Sequence, residues 1–238
     1  MKGTRRLWNE ARAAPAEGGF TILLDSRPLR VPGGGSLLLA TRPLAEAVAR
    51  EWESRPKGEM IRAEDIPLTR LAATAQERIA PAPEATLASI ASYGGNDLLC
   101  YRAAEPEALV RRQEAAWQPW LDWAAKELGA RLKITTGVMP LAQDPAALAA
   151  LRAALAAASI PELAFLGVAV PALGSLVLGL AMIRGRLAPE EAAAASLLDE
   201  TFQAELWGEE EEAVARRAAI SAEIALAARF AALAGTPA

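Results

Sequence analysis

The residues with the clearest chemical potential lie in one acidic stretch near the end of the chain. Positions 187–215 contain nine carboxylates and no basic residue. Within this stretch Asp199, Gln203 and Trp207 recur every four residues, so a helix places them on one face, with Glu200 beside it. An outward tryptophan among carboxylates is typical of a surface that binds arginines and an apolar socket of a partner protein. The same carboxylates could also hold a cationic small molecule.

A second stripe of the same helix is apolar. Leu198, Phe202 and Leu206 recur at i, i+4 and i+8, and they predict the side of the helix that packs into the core. Glu205 falls at the edge of this stripe, where its partial burial would need an explanation.

The four consecutive glutamates at 209–212 also have a plain structural interpretation. Carboxylates are favoured at a helix N-terminus, and Glu212 can pair with Arg216 at i, i+4. This interpretation accounts for the glutamate run but not for the shared face of the polar residues before it. A solvated acidic helix and a partner-binding surface therefore both stay open.

The composition removes most forms of catalysis. Histidine is absent from the sequence, and with it the commonest general base, the commonest metal ligand and every Ser/His/Asp or Cys/His arrangement. Cys100 is the single cysteine, and its place between Leu99 and Tyr101 is typical of a buried small hydrophobic residue. The adjacent acids at 64–65 and 199–200 point about 100° apart on a helix and do not converge on a substrate. We therefore predict no catalytic residue, no metal site and no cofactor.

The charge balance and the glycine pattern argue against nucleic acid and nucleotide ligands. With 25 basic and 29 acidic residues the net charge is −4, so the chain lacks the basic excess that phosphate binding requires. The loop at Gly33–Gly35 is not followed by Lys-Ser/Thr, and a strand rather than a helix is predicted after it. This loop is interpreted as a hairpin connection.

The elements that must position these residues follow from turn signals and hydrophobic periodicity. Short strands are predicted at 20–24, 27–31 and 36–40, and a helix at 41–52 has Thr41 as its N-cap. A helical pattern begins at residue 67, an extended segment is predicted at 97–101, and an isolated strand at 131–136. Further helices are predicted at 84–93, 107–128, 145–157, 161–183, 189–207 and 209–233. The predicted fold class is α+β, with a small N-terminal antiparallel β domain (residues 1–60) followed by a larger all-helical domain (residues 61–238).

One apolar stretch is long enough to raise the question of a membrane span. Positions 163–183 carry no charge over 21 residues, and a bilayer requires roughly 20. Pro171 near the middle and the scarcity of flanking basic residues favour a buried helix pair that is broken around Pro171. A membrane-attached scaffold is the alternative.

Five motifs together carry a resemblance that spans nearly the whole chain. They are a glycine turn, strand and Asp-x-Arg-Pro hairpin at 18–32, Leu-Ala-x-x-Val-Ala-x-Glu-Trp at 44–52, Pro-Leu-Thr-Arg-Leu-Ala-x-Thr-Ala at 67–75, Asp-Leu-Leu-Cys-Tyr-Arg at 97–102 and Leu-Asp-Glu-x-x-Gln-x-Glu-x-Trp-Gly at 198–208. The last two are the most specific, because each joins polar and aromatic residues in an order that packing alone does not demand. In these motifs the chain resembles the assembly chaperone family that binds the α subunit of the F1 part of ATP synthase in mitochondria and α-proteobacteria.

The resemblance implies a function and a set of site residues. It implies an ATP-independent chaperone, not an enzyme, that binds the unassembled F1 α subunit and prevents its aggregation until the β subunit replaces it. The implied partner-binding residues are Glu205 as the essential acid, with Asp199, Glu200, Gln203, Trp207 and Glu209 around it. Asp97, Tyr101 and Arg102 are expected to brace this surface rather than extend it.

The N-terminal residues and the overall composition bear on location and ligands. The sequence displays no signal or transit peptide, which indicates the bacterial cytoplasm, with the mitochondrial matrix as the location of eukaryotic relatives. Nucleic acid, stable membrane insertion and a small-molecule cofactor are not expected. The main alternative is an enzyme that acts on a cationic small molecule through the acidic face of helix 189–207.

Overall fold

The N-terminal part of the fold consists of short antiparallel strands, as seen in a computed structural model that describes residues 4–137 and 139–235. The strands are β1 (Thr4–Arg5), β2 (Ala11–Ala16), β3 (Gly19–Leu24), β4 (Arg27–Pro28) and β5 (Met60–Ile61). β2, β3 and β4 form one sheet in that order, and β1 pairs with β5 in a second. The strand predicted at 27–31 is shortened to β4, and the strand predicted at 36–40 is reduced to isolated bridges.

The turn between β2 and β3 explains the glycine pair in the sequence. Gly18 has a φ of 81°, which favours glycine. A Cβ on Gly19 would lie 2.4 Å from the carbonyl oxygen of Leu39, so the segment at 36–40 can approach β3 closely only because this side chain is missing. The glycine pair therefore fixes both the hairpin and the position of the segment beside it.

Ten helices make up most of the remaining described chain. They are α1 (Arg42–Glu51), α2 (Pro67–Thr74), α3 (Pro83–Ala91), α4 (Glu107–Trp123), α5 (Pro145–Ala156), α6 (Ile160–Leu173), α7 (Leu176–Ile183), α8 (Pro189–Ser196), α9 (Leu198–Trp207) and α10 (Glu211–Leu233). α2 and α4 continue into π-helical turns at Ala75–Ile79 and Ala124–Leu128. The predicted α+β class, with strands first and helices after them, is confirmed.

Three predicted elements differ from the structure in detail. The helix predicted at 189–207 is two helices, because Leu197 leaves the helical conformation with φ −94° and ψ 12°. The strand predicted at 131–136 is limited to β7 (Thr135–Thr136), which pairs in parallel with β6 (Tyr101–Arg102) and is therefore not isolated. The extended segment predicted at 97–101 contains a 3-10 turn at Leu98–Cys100, which Asp97 caps by accepting the Leu99 N–H.

The long apolar stretch forms the buried centre of the helical part. α6 and α7 meet at Gly174, which has a φ of 63°, so the predicted broken helix pair is confirmed with the break three residues after Pro171. A Cβ on Gly179 would lie 2.6 Å from Cγ2 of Val170, which shows how tightly α6 and α7 pack. Over the described ranges, no helix combines the length and the apolar character needed to cross a bilayer.

The strands and the helices are connected through buried polar contacts around α1. The Trp8 indole N–H donates to the Trp52 carbonyl at 3.1 Å, and the Trp52 indole N–H donates to the Thr69 hydroxyl at 3.0 Å. The Glu51 carboxylate accepts the backbone N–H groups of Leu68 and Thr69 at the start of α2. Burial raises the pKa of Glu51, against the opposing effect of these hydrogen bonds. The domain boundary at residue 60 stays a prediction.

Candidate partner-binding surface

The first two turns of α9 pack against the rest of the fold, and its last turn is exposed. Phe202 is 5% exposed and anchors the helix, whereas Leu206, one turn later, is 57% exposed. The prediction that Leu206 is buried is therefore wrong. The physical reason is its place in the last turn of α9, where α4 and α8, the helices that pack against α9, leave the Leu206 side chain largely uncovered.

Trp207 is the last residue of α9 and is 78% exposed. Gly208 follows with a φ of 89° and ends the helix. Leu206 and Trp207 together form what we call the apolar tip. The predicted outward orientation of Trp207 is confirmed, and its role in binding stays a prediction. Two large apolar side chains next to each other in solvent are typical of an interaction site.

Three of the acids around the apolar tip form ion pairs within the molecule. Arg112 of α4 contacts Glu205 at 2.7 Å, Arg217 contacts Glu209 at 2.7 Å, and Arg216 contacts Glu200. Arg216 therefore pairs with a residue of α9 rather than with its predicted i, i+4 neighbour. Asp199 is half-buried and accepts a hydrogen bond from the Gln113 amide at 2.8 Å, and Gln203 is exposed. The structure thus places Asp199, Glu200, Gln203, Glu205 and Trp207 on α9 and Glu209 between α9 and α10. Three of these acids form ion pairs with arginines of neighbouring helices.

Two residues of α4 belong to this surface and were not predicted. Arg112 supplies the cation for Glu205, and its guanidinium lies 5.1 Å from the centroid of the Phe202 ring. Gln113 is buried, accepts the Ala103 N–H at 2.8 Å and donates to Asp199. The sequence signal for Gln113 is its place among the apolar residues of α4, where a polar side chain requires a partner. Nothing in the sequence around Arg112 indicates that it pairs with Glu205.

Asp97 lies inside the fold rather than on the α9 surface. It is fully buried, its Oδ1 accepts the Leu99 N–H at 3.1 Å, and its Oδ2 accepts the Val177 N–H at 3.0 Å. Burial raises the pKa of Asp97 to about 6, and the hydrogen bonds oppose this increase. The carboxylate thus joins the turn after α3 to the first turn of α7.

Tyr101 and Arg102 lie between Asp97 and α4. The Arg102 guanidinium is buried 5.2 Å from the Trp117 ring centroid, and its Nε donates to the Leu99 carbonyl at 2.9 Å. Tyr101 is half-buried, and its hydroxyl lies 3.2 Å from the Asn96 side-chain oxygen. These contacts are internal to the fold, and the bracing role of Asp97, Tyr101 and Arg102 stays a prediction, as does the partner-binding role of the α9 residues.

A metal site needs several ligating side chains close together. Across residues 4–137 and 139–235, no group of three or more Cys, Asp or Glu side chains is arranged to hold a metal ion. The α9 surface offers apolar contact at its tip and half-exposed ion pairs beside it. This combination is typical of protein-binding surfaces.

Comparison with known proteins gives the family. Residues 5–125 match the family model of the ATP12 chaperone protein. The fold superposes on the crystal structure of Atp12 from Paracoccus denitrificans with a TM-score of 0.90 and 48% identity, over 97% of this chain and 98% of that chain. A protein from Agrobacterium tumefaciens matches with a TM-score of 0.89 and 40% identity, over 96% of this chain and 85% of that chain.

A more distant relative is mitochondrial. The mitochondrial protein atp12 of Schizosaccharomyces pombe is 24% identical over an alignment of 220 residues, which covers 88% of this chain and 75% of that protein. The chain belongs to the ATP12 family of ATP synthase assembly chaperones. The family expected from the five sequence motifs is confirmed.

Proposed function

We propose that this protein binds the unassembled α subunit of F1, without hydrolysing ATP, and keeps it from aggregating until the β subunit takes its place. Membership of the ATP12 family supports a chaperone role. The observation that carries the choice of site is the apolar tip, since Leu206 and Trp207 are the large apolar side chains that α9 leaves in solvent. We also propose that the protein acts in the bacterial cytoplasm, is not an enzyme and needs no cofactor.

An unassembled subunit exposes the surface that its neighbour will later cover. A subunit that awaits its neighbour presents an apolar patch and unpaired charges, both of which promote self-association. The apolar tip can cover the patch, and Glu205 can offer its carboxylate to a partner arginine by exchanging it for Arg112. Because Glu205 can return to Arg112 when the subunit leaves, release does not leave a charge without a partner. A chaperone with this surface can therefore bind the α subunit and later release it.

The internal ion pairs also bear on the enzyme alternative. An enzyme for a cationic substrate requires carboxylates that converge on a cavity, whereas Glu200, Glu205 and Glu209 each have a cation from a neighbouring helix. These pairs favour recognition of a protein. An enzyme would turn over a small molecule without a protein partner, and a chaperone should co-purify with the α subunit in stoichiometric amount.

The experiment is dilution of denatured α subunit into buffer, with aggregation followed by light scattering. Addition of the wild-type protein should suppress scattering, whereas Trp207→Ala should need about tenfold more protein for the same suppression. Leu206→Ala should show a similar loss. Leu7→Ala is the matched control, because Leu7 is also an exposed leucine but lies near β1. Equal suppression by the control and the tip variants would contradict the proposed site.

The acidic part of the surface has its own test. Glu205→Lys should weaken capture of the α subunit, because it replaces the acid by a cation beside Arg112. Glu84→Lys is the control, since Glu84 is likewise an exposed acid paired with an arginine, Arg152, at 2.9 Å. Circular dichroism should be unchanged in both variants, and the melting temperature should fall slightly and to a similar extent in both, because each places two cations together. Unchanged capture by Glu205→Lys would count against this residue.

A further inference from the structure

A second surface groove lies along α2, away from the residues of the apolar tip. Arg70, Thr74 and Arg78 are spaced every four residues along α2 and its π-helical turn, and all three are exposed. Two surface depressions of about 380 and 280 Å³ both include these three side chains. In the part of the chain that the structure describes, neither guanidinium forms an ion pair. Two arginines thus border one groove with their charges available.

The acids near this groove do not neutralise the two arginines. Glu77 is on the same helical turn, but its Oε1 accepts the backbone N–H of Gly33 at 2.5 Å. Glu223 of α10 also lines the larger depression. Guanidinium and carboxylate form two parallel hydrogen bonds, so each arginine can bind one carboxylate of a ligand that carries its acids well apart.

The floor of the groove contains a glycine without an internal packing role. Gly167 lies in the middle of α6, where glycine weakens a helix relative to alanine. A Cβ at this position would meet no atom within 4 Å, in contrast to Gly179, where Val170 leaves no space. Gly167 is exposed between Ala164 and Val168, which line the same depression. The missing side chain keeps the floor flat for a group that comes from outside.

We propose that this groove binds an acidic amphipathic helix of a partner protein. Eight residues separate Arg70 from Arg78, which corresponds to about 12 Å along a helix axis. Glutamates seven or eight residues apart on a second helix have the same separation, so each can pair with one arginine. The apolar face of that helix would lie on Gly167 and its neighbours. Charge complementarity and the flat apolar floor thus select one kind of occupant, whether or not the apolar tip binds the α subunit.

The test uses a fluorescein-labelled, alanine-rich helical peptide that carries leucines on one face and glutamates seven residues apart. Fluorescence anisotropy measures its affinity for the full chain. We expect saturable binding, and we expect the variant R70Q/R78Q to weaken it about tenfold or more. R184Q/R186Q is the matched control, because it removes two exposed arginines elsewhere.

A peptide with glutamines in place of the glutamates should bind about tenfold more weakly. The single variants R70Q and R78Q show the same direction if the double variant is poorly folded.

The floor is tested by Gly167→Leu. Its side chain would project into open space, so the melting temperature should not fall, while peptide affinity should drop about tenfold. Equal affinity of R70Q/R78Q and R184Q/R186Q, or unchanged binding by Gly167→Leu, would overturn the proposal. If excess inorganic phosphate displaced the peptide to the same extent from the wild type and from Gly167→Leu, the groove would be a simple anion site. This result would also overturn the proposal. Trp207→Ala should bind the peptide normally, which separates this site from the proposed α-subunit site.

Discussion

Arg112 on α4 and Glu205 on α9 form the central ion pair of the candidate surface, with 2.7 Å between Nη1 and Oε2. Both side chains are about half exposed, so water screens the pair, and its contribution to stability is about 0.2–1 kcal/mol. The pair can therefore open at small cost. Arg112 positions the Glu205 carboxylate, which can still bind a second arginine.

A charge swap separates the role of the pair from the role of its acid. Glu205→Arg places two guanidiniums together and should lower the melting temperature slightly. Adding Arg112→Glu restores the attraction, so the melting temperature of the double variant should return to the wild-type value. Capture of the α subunit should stay weak, because the acid then lies on α4. Recovery of capture together with stability would show that only the ion pair matters.

The apolar tip should contribute nothing to folding. Leu206→Ala is expected to change the free energy of unfolding by less than about 0.5 kcal/mol, because the side chain is already in solvent. Phe202→Ala, one turn earlier, should cost about 3–5 kcal/mol, because it empties a buried site. Urea unfolding of the two variants gives the comparison. A large loss for Leu206→Ala would mean that the tip is packed in solution.

The contrast between Phe202 and Leu206 shows how far the sequence pattern reaches. Helical spacing gives the rotation of each residue about the axis, and it predicts correctly that Phe202 is buried and Trp207 is exposed. It contains no information about where neighbouring helices stop along that axis. Leu206 lies on the side of α9 that faces the core, but in the last turn, where the side chain is exposed. Helical spacing gives only the side of the helix, so it could not predict this exposure.

The ion pairs were less predictable than the helices. Glu200 and Glu205 find their cations on α10 and α4, and the second of these partners is 93 positions earlier in the chain. Such pairs depend on how helices cross, which a single sequence does not encode locally. The family motifs, by contrast, are read directly from residue order, and they indicated the correct family before any geometry was known.

Asp97 should make stability depend on pH in the direction opposite to most carboxylates. Its pKa is raised by burial from the usual 3.8 to about 6, so between about pH 4 and pH 6 the native state holds a proton that the unfolded chain releases. The free energy of unfolding contributed by Asp97 is therefore greatest below pH 4 and falls as pH rises through 6. The full difference is about 3 kcal/mol.

The measurement is urea unfolding of wild type and Asp97→Asn from pH 4 to pH 7. The asparagine does not titrate, and its amide group leaves one of the Leu99 and Val177 N–H groups without its acceptor. The advantage of the wild type over the variant should shrink steadily as pH rises. Subtracting the two curves cancels the titration of all other acids. A difference that is constant with pH would contradict the assignment.

Asp65 should make stability depend on pH in the direction opposite to Asp97. The Arg55 side chain donates to its carboxylate at 2.7 Å, and this hydrogen bond lowers the pKa of Asp65 below 3.8. Its stabilising effect is present above pH 4 and is lost as pH falls through the lowered value. Asp65→Asn should therefore be less stable than wild type at neutral pH and equal to it in strong acid. A gap that widens toward low pH would be inconsistent with the ion pair.

Cys100 should be chemically silent in the native protein. It is fully buried, and burial, with a smaller effect from the Asp97 charge, raises the pKa of its thiol to about 12. The thiolate is the reactive form, so at pH 8 neither ionisation nor access favours reaction with a disulfide reagent. Ellman's reagent should release no measurable thionitrobenzoate from the folded chain and one equivalent after unfolding in guanidinium. Because reaction then requires opening of the fold, its rate should rise with urea in parallel with the unfolded fraction. A fast reaction in native buffer, independent of urea, would show that Cys100 reaches solvent and would remove the interpretation of this residue as part of the core.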